Sequence, residues 1–140
     1  MRTLFLSYVI LATVSARAQS LVRQAPSKTA ARSNPMQSEG QAQRAGAKLY
    51  ARECAACHGP NGTGLAKAPP LNRPEIYHAA PGALFWVLRN GSLHTGMPSF
   101  AHLPEQQRWQ IVTYLQSLRF EIPKPGNPEF RDASAAPGNF

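Results

Sequence analysis

The sequence predicts an all-α fold on two observations. Apolar residues recur at helical spacing in three separate stretches, and no stretch sustains the apolar–polar alternation of a strand. The first stretch is residues 39–53, where Ala42, Ala45, Gly46, Leu49 and Tyr50 fall on one helical face. A glycine in mid-helix costs ~1 kcal/mol relative to alanine, so Gly46 implies close approach by another element. The second runs from Pro81 to Asn90, with a proline near its start and Gly91 as its C-terminal stop. The third begins near Pro104-Glu105 and carries Trp109, Ile111, Val112, Tyr114, Leu115 and Leu118. Pro123 is expected to close it.

A chain of 140 residues is the length of one domain, and its start reads as something other than that domain. Arg2 precedes an uncharged apolar run, Leu4 to Val14, which leads into Ala16-Arg17-Ala18. That is the layout of a secretory signal peptide cut after Ala18. The run is short for a membrane span, which needs about 20 residues; an uncleaved anchor is the alternative reading. No cysteine lies near the cleavage site to carry a lipid. A soluble mature chain beginning near Gln19 is therefore expected.

Residues 19–38 are rich in Ala, Ser, Gln and Pro without apolar periodicity, and read as a flexible linker. Residues 122–140 hold Pro123, Pro125, Gly126, Pro128, Pro137 and Gly138, and read as an irregular tail. The folded unit is then about residues 39–121, with no internal repeat.

The full chain carries 15 Lys and Arg against 7 Asp and Glu, a net charge of +8. Loss of Arg2 and Arg17 with the signal leaves 13 basic residues against 7 acidic ones, or +6. These charges are scattered, with no basic run and no interleaved aromatics, which argues against nucleic acid. Steering towards an acidic partner protein is the reading that remains beside plain solubility.

An all-helical unit of this size buries a modest fraction of its surface and needs a further organising element. The segment from Gly59 to Ala80 makes the same demand, being proline-rich (Pro60, Pro69, Pro70, Pro74) and weakly periodic. A large apolar cofactor would organise it.

Cys54-Ala55-Ala56-Cys57-His58 is C-x-x-C-H, the haem c attachment motif. Thiols at i and i+3 project from one face of a helical turn and reach the two vinyl groups of one porphyrin. Each forms a thioether, and the adjacent His58 offers a neutral imidazole to the iron as proximal ligand. Other readings of the pair are weaker. A disulfide here closes a very short loop, a thioredoxin-type pair needs a βαβ context, and zinc needs four ligands where no second C-x-x-C exists. The fold expected is about three main helices wrapped around one covalent haem, with an irregular loop covering it.

The candidate sixth ligand is Met97. Met1 leaves with the signal, Met36 sits in the linker, and Met97 lies in Gly96-Met97-Pro98-Ser99-Phe100. A glycine and a proline set that stretch as a shaped loop, and a thioether suits iron as a soft ligand. A core-filling Met usually sits on a helix face instead. His94 and His102 flank the loop as alternative distal ligands, with a solvent-facing role as the plainer reading. His78 reads as a surface residue.

Taken together these features resemble the class I cytochromes c, small single-haem proteins of the bacterial periplasm and mitochondrial intermembrane space. The likeness covers about residues 40–120. It rests on G-A-K-L-Y, C-A-A-C-H-G-P-N-G-T-G, P-P-L, G-M-P-S-F and R-W-Q-I-V-T-Y-L-Q-S-L. The resemblance implies that the terminal helices cross at Gly46 and Tyr50 against Ile111, Tyr114 and Leu115. It also implies that a proline carbonyl holds the proximal histidine. Pro70 is the expected residue, since Pro-Leu occurs there, with Pro69 as the neighbouring register. Trp86 and Trp109 are candidate neighbours of the haem propionates, with core packing favoured for both.

The function expected is one-electron transfer between Fe(III) and Fe(II), with no substrate chemistry, because His58 and Met97 fill both axial sites. A thioether ligand favours Fe(II) and raises the potential. The expected partners are an electron donor and an electron acceptor, such as a periplasmic dehydrogenase and a terminal oxidase. The membrane enters only if the signal segment is uncleaved. The alternatives are a haem peroxidase or gas-binding sensor with an open sixth site and, more weakly, a thiol oxidoreductase using Cys54 and Cys57.

Overall fold

The computed structural model describes residues 21–65 and 68–118. In chain order its helices are α1 (Ser27–Ala30), α2 (Gly40–Glu53), α3 (Ala55–His58), α4 (Pro74–Tyr77), α5 (Pro81–Asn90) and α6 (Glu105–Ser117). A 3-10 turn, Leu93–Thr95, lies between α5 and α6. Strands are absent among the described residues, where pairing is limited to the isolated bridges Leu65↔Ala68 and Ser92↔Met97. The all-α expectation holds, and α2, α5 and α6 are the three helices that periodicity picks out.

Helix α2 crosses α6 face to face, and the reason Gly46 occurs in mid-helix is at the crossing. A Cβ there would stand 2.0 Å from the Gln110 carbonyl oxygen and 2.9 Å from Tyr114 Cβ. No side chain fits, so the backbones approach as closely as helices can. One turn on, the Tyr50 and Tyr114 rings meet at 5.1 Å between centroids, while Ile111 and Val112 are completely buried. Helix α5 closes the third side, its Phe85 ring stacked on Trp109 at 4.2 Å. Pro81 starts α5 and Gly91, at φ 64°, stops it.

Helix α6 ends earlier than its sequence suggests. Leu118 is already extended (φ −70°, ψ 97°), so the helix stops at Ser117 rather than running on to Pro123, which lies outside the described residues. The signal segment 1–18 and the tail 122–140 lie outside them too. Among the described residues no helix is long and apolar enough to cross a membrane.

The flexible linker expected at 19–38 is corrected over its described part. Residues 21–38 form a strap across α5 and α6. Val22 and Met36 pack against the core, and Asn34 is buried with its Nδ2 donating to Thr113 Oγ1 at 2.9 Å. Gly82 lies so close beneath the strap that a Cβ there would be 2.0 Å from the Thr29 carbonyl oxygen. Arg32 fastens the middle: its guanidinium pairs with Glu105 at 2.6 Å and lies over the Phe85 and Trp109 rings, 4.9 and 5.3 Å from their centroids. Periodicity finds segments that bury a whole face. This one docks through a few separated side chains and leaves no such pattern.

Candidate haem site

Cys54 is the hinge between two helical turns. Its N–H donates to the Tyr50 carbonyl at 2.8 Å, completing α2, and its carbonyl accepts from His58 N at 2.9 Å, opening α3. The motif thereby becomes one helical turn. Cys54 is buried at its base and Cys57 is exposed, both as free thiols. Burial, then the Glu53 carboxylate, then Cys57, push the Cys54 thiol up to about 12. Among the described residues no three His, Cys, Asp or Glu side chains cluster as a metal site, so the zinc alternative has no ligand set there.

His58 is half-buried, and its Nδ1 lies 2.8 Å from the Pro69 carbonyl oxygen. A carbonyl only accepts, so Nδ1 carries the proton and Nε2 keeps a free lone pair. Burial lowers the imidazole's pKa, which favours the neutral ring; the carbonyl contact acts in the opposite sense. The expected partner Pro70 is thus corrected to Pro69.

The register follows from the path of the loop. Gly59, Gly62 and Gly64 have φ of 78°, 68° and 82°, left-handed conformations that L side chains rarely adopt. Gly64 N returns to the His58 carbonyl at 2.8 Å, and Leu71 N to the Gly62 carbonyl at 2.7 Å, folding the segment back on the motif. Gly64 itself is pressed against Pro70, whose nitrogen would lie 2.9 Å from a Cβ at that position. The Pro69–Pro70 peptide is therefore fixed against Gly64, with its carbonyl, that of Pro69, facing the imidazole. Tyr50 pins the start of the loop, its hydroxyl donating to the Gly59 carbonyl at 2.8 Å. Burial raises the Tyr50 pKa, which keeps that hydroxyl protonated.

Met97 sits in a separate, equally constrained turn. Gly91 meets the backbone of Met97 and Pro98 where any Cβ would clash, the nearest atoms being 2.6 Å away. Ser92 N donates to the Met97 carbonyl at 2.8 Å and Met97 N to the Ser92 carbonyl at 3.0 Å. The 3-10 turn closes this loop, and Gly96 adopts the left-handed conformation before Met97. Beyond Met97, Ser99 Oγ donates to the Arg89 carbonyl at 2.5 Å and Phe100 N to the Leu88 carbonyl at 2.8 Å. Met97 is half-buried and packs against the core cluster that also contains Cys54, Leu88 and Phe100.

The remaining histidine candidates are at the surface. His94, His102 and His78 are exposed, the last with its ring 4.6 Å from Tyr77. Trp109 is a core residue whose indole N–H donates to Glu105 Oε1 at 3.3 Å. Trp86 is half-buried. Sequence reasoning missed Tyr50 as the donor that pins the loop, and it missed Arg108. That arginine is buried in α6 and donates to the Phe100 and Ala101 carbonyls at 3.4 and 3.0 Å, and to that of Leu103. Its only sequence signal is its place in the helical stripe of Ile111, Val112 and Leu115, three, four and seven residues further on.

The donor chemistry fits haem c: two thiols on one helical turn, an imidazole whose second nitrogen is already engaged, and a thioether on a rigid loop. Comparison with protein families matches residues 41–115 to the family described as "Cytochrome C oxidase, cbb3-type, subunit III". A comparison with curated proteins finds no match. Among solved structures the chain is similar to cytochrome CL from the marine methylotrophic bacterium Methylophaga aminisulfidivorans MPT, with a TM-score of 0.53 and 21% identity. That likeness covers 61% of this chain and 58% of the other, so this chain spans little more than half the length of its structural neighbour.

Proposed function

Because the chain belongs to the cbb3-type cytochrome c family, we propose that it is an exported one-electron carrier in which Cys54 and Cys57 form the thioethers and His58 and Met97 ligate the iron. Members of such a family bind haem c covalently and exchange electrons with other proteins. When bound, haem c supplies the Fe(III)/Fe(II) couple. The residues of this chain hold and tune it. Cys54 and Cys57 fix the porphyrin to α3. His58 presents Nε2, with its ring orientation and basicity set by the Pro69 carbonyl. Met97 presents an uncharged thioether, which favours the reduced metal. With His58 and Met97 both holding the iron, the chain would offer a substrate no open site and would move electrons without bond chemistry.

The observation that carries this reading is the 2.8 Å contact of His58 Nδ1 with the Pro69 carbonyl, which leaves the other ring nitrogen as a neutral ligand. Export is read from residues 1–18, which place the mature chain in the periplasm or an equivalent compartment. The proposed partners are an electron-donating dehydrogenase and an accepting terminal oxidase, met through transient, salt-sensitive docking of a basic protein. The test is the absorption spectrum of the exported protein, before and after alkaline pyridine, followed by exposure of the ferrous form to carbon monoxide. A c-type pyridine spectrum and resistance to carbon monoxide are expected. Rapid stoichiometric binding of carbon monoxide would remove Met97 as a firm ligand and replace the carrier with a sensor or peroxidase.

A further inference from the structure

We propose that Arg108 is a positioning residue for the distal ligand: its buried guanidinium holds the segment following Met97 and so sets how firmly the Met97 sulfur stays on the iron. The proposal rests on the reading of Met97 as ligand and deepens it.

Arg108 is 8% exposed, the one buried arginine among the described residues. Arginine is rarely buried without a carboxylate, since removing an ionised group from water is costly unless it is paired. Among the described residues Arg108 makes no salt bridge; Glu105, one turn earlier, pairs with Arg32 and reaches Arg108 only as a weaker electrostatic attraction. Its Nε atom is buried with no hydrogen-bond partner. The charge is met by three backbone carbonyls, all bonded to the single atom Nη1, and by the Phe85 ring 5.0 Å from the guanidinium carbon. For folding alone an apolar residue is the cheaper choice on this face of α6, next to Trp109, Ile111 and Val112.

What the arginine contributes is therefore local. The three carbonyls belong to Phe100, Ala101 and Leu103, the turn that leads from the Met97 loop into α6. That turn bends too tightly for its carbonyls to enter a helix or ladder. One internal bond, from Leu103 N to the Phe100 carbonyl, is all it makes for itself. The segment after Met97 is tied to α5 through Leu88 and Arg89, and Arg108 is its tie to α6. With Arg108 gone the Ala101 and Leu103 carbonyls must find water, and the turn moves with them. The sulfur three residues before Phe100 then leaves the iron more often. An external ligand binds in proportion to the fraction of open iron, which makes that movement measurable.

The test compares ferric holoprotein of the wild type, Arg108→Leu and Arg108→Lys by imidazole titration, by the near-infrared methionine–iron band, and by unfolding in guanidinium chloride. Arg108→Leu is expected to bind imidazole about tenfold more tightly, the scale of one lost charge-assisted hydrogen bond, while its unfolding midpoint stays near the wild-type value. Arg108→Lys carries three N–H donors on one nitrogen and should return the affinity to within about threefold of wild type. Unchanged imidazole affinity in Arg108→Leu, in a wild type that shows the band, overturns the role of Arg108 alone. A tighter affinity matched by an equal loss of global stability also overturns it, because a general staple of the fold would behave so. If Arg108→Leu does not fold, Arg108→Gln is read by the same criteria; failure of both to fold assigns the residue to the fold and ends the proposal. A wild type lacking the band removes Met97 as ligand, and the proposal falls with it.

Discussion

The Nδ1 atom of His58 lies 2.8 Å from the carbonyl oxygen of Pro69, a contact made by two residues that a left-handed glycine loop returns to each other. Through it the loop determines which imidazole nitrogen is left free to act as a ligand, and how basic that nitrogen is. The glycines are consequently as much a part of the site as the ligands.

Gly64→Ala tests that dependence. Its φ of 82° and its contacts with Pro70 and Ala68 leave no room for a methyl group. We expect a loss of at least about 1–2 kcal/mol of stability, the cost of a left-handed non-glycine residue. A Pro69 carbonyl displaced from His58 withdraws less from Nδ1–H, making Nε2 a poorer donor and raising the reduction potential. Potentiometric titration and denaturant unfolding check the two effects separately, and an unchanged potential would detach the loop from the ligand.

Gly46→Ala places its methyl carbon 2.0 Å from the Gln110 carbonyl oxygen. Relief requires α2 and α6 to separate, so the loss should exceed about 3 kcal/mol, the upper end of ordinary overpacking. Equilibrium unfolding followed by circular dichroism measures it. A change below about 1 kcal/mol would mean that the helices slide apart at little cost.

Cys54→Ala or Cys57→Ala should each lower the yield of haem protein, and the double substitution should abolish it. The wild-type haem should resist acid–acetone extraction, because a thioether survives that treatment. Extractable haem would show that the two thiols are not its anchors. Removing residues 1–18 should leave the chain without haem in the cytoplasm, which staining of the expressed protein for haem will reveal.

Met97→Ala should abolish the near-infrared methionine band of the ferric protein, lower the potential and admit cyanide or carbon monoxide. Met97→His should keep the iron low-spin at a lower potential, imidazole being the stronger donor. If the alanine variant retains the wild-type spectrum, the sixth ligand is some other residue, with His94 and His102 next in line.

The strap should loosen in acid. The hydrogen bond from Arg32 holds the Glu105 carboxyl below its ordinary value of 4.5. A depressed folded pKa adds stability above the ordinary value and loses it as pH falls through the lower folded one. Both side chains are about half exposed, so the ion pair contributes little, and salt weakens it further. The stronger tie is buried: Asn34→Ala leaves Thr113 without its donor and should cost about 1–3 kcal/mol. Hydrogen exchange over residues 21–38 reports both effects, in acid for Arg32 and at neutral pH for Asn34. Protection unaffected by either change would show that Val22 and Met36 alone dock the strap.

By itself the sequence determined whatever depends on spacing along the chain. The period of apolar residues marked α2, α5 and α6, because a helix that buries one face must repeat its apolar residues every three to four positions. The C-x-x-C-H run marked the proposed haem attachment, since thiols three residues apart on a helical turn can reach one porphyrin. Gly46 announced a close crossing because nothing else explains a glycine at that place. Only the tertiary structure decided which proline carbonyl meets His58, as two adjacent prolines differ by where the glycine loop lays them and not by chemistry. It also decided that residues 21–38 belong to the folded unit and that Arg108 is buried beneath the Met97 turn. Those contacts join single side chains to backbone groups and rings far away along the chain, and such pairings leave no periodic trace in the sequence.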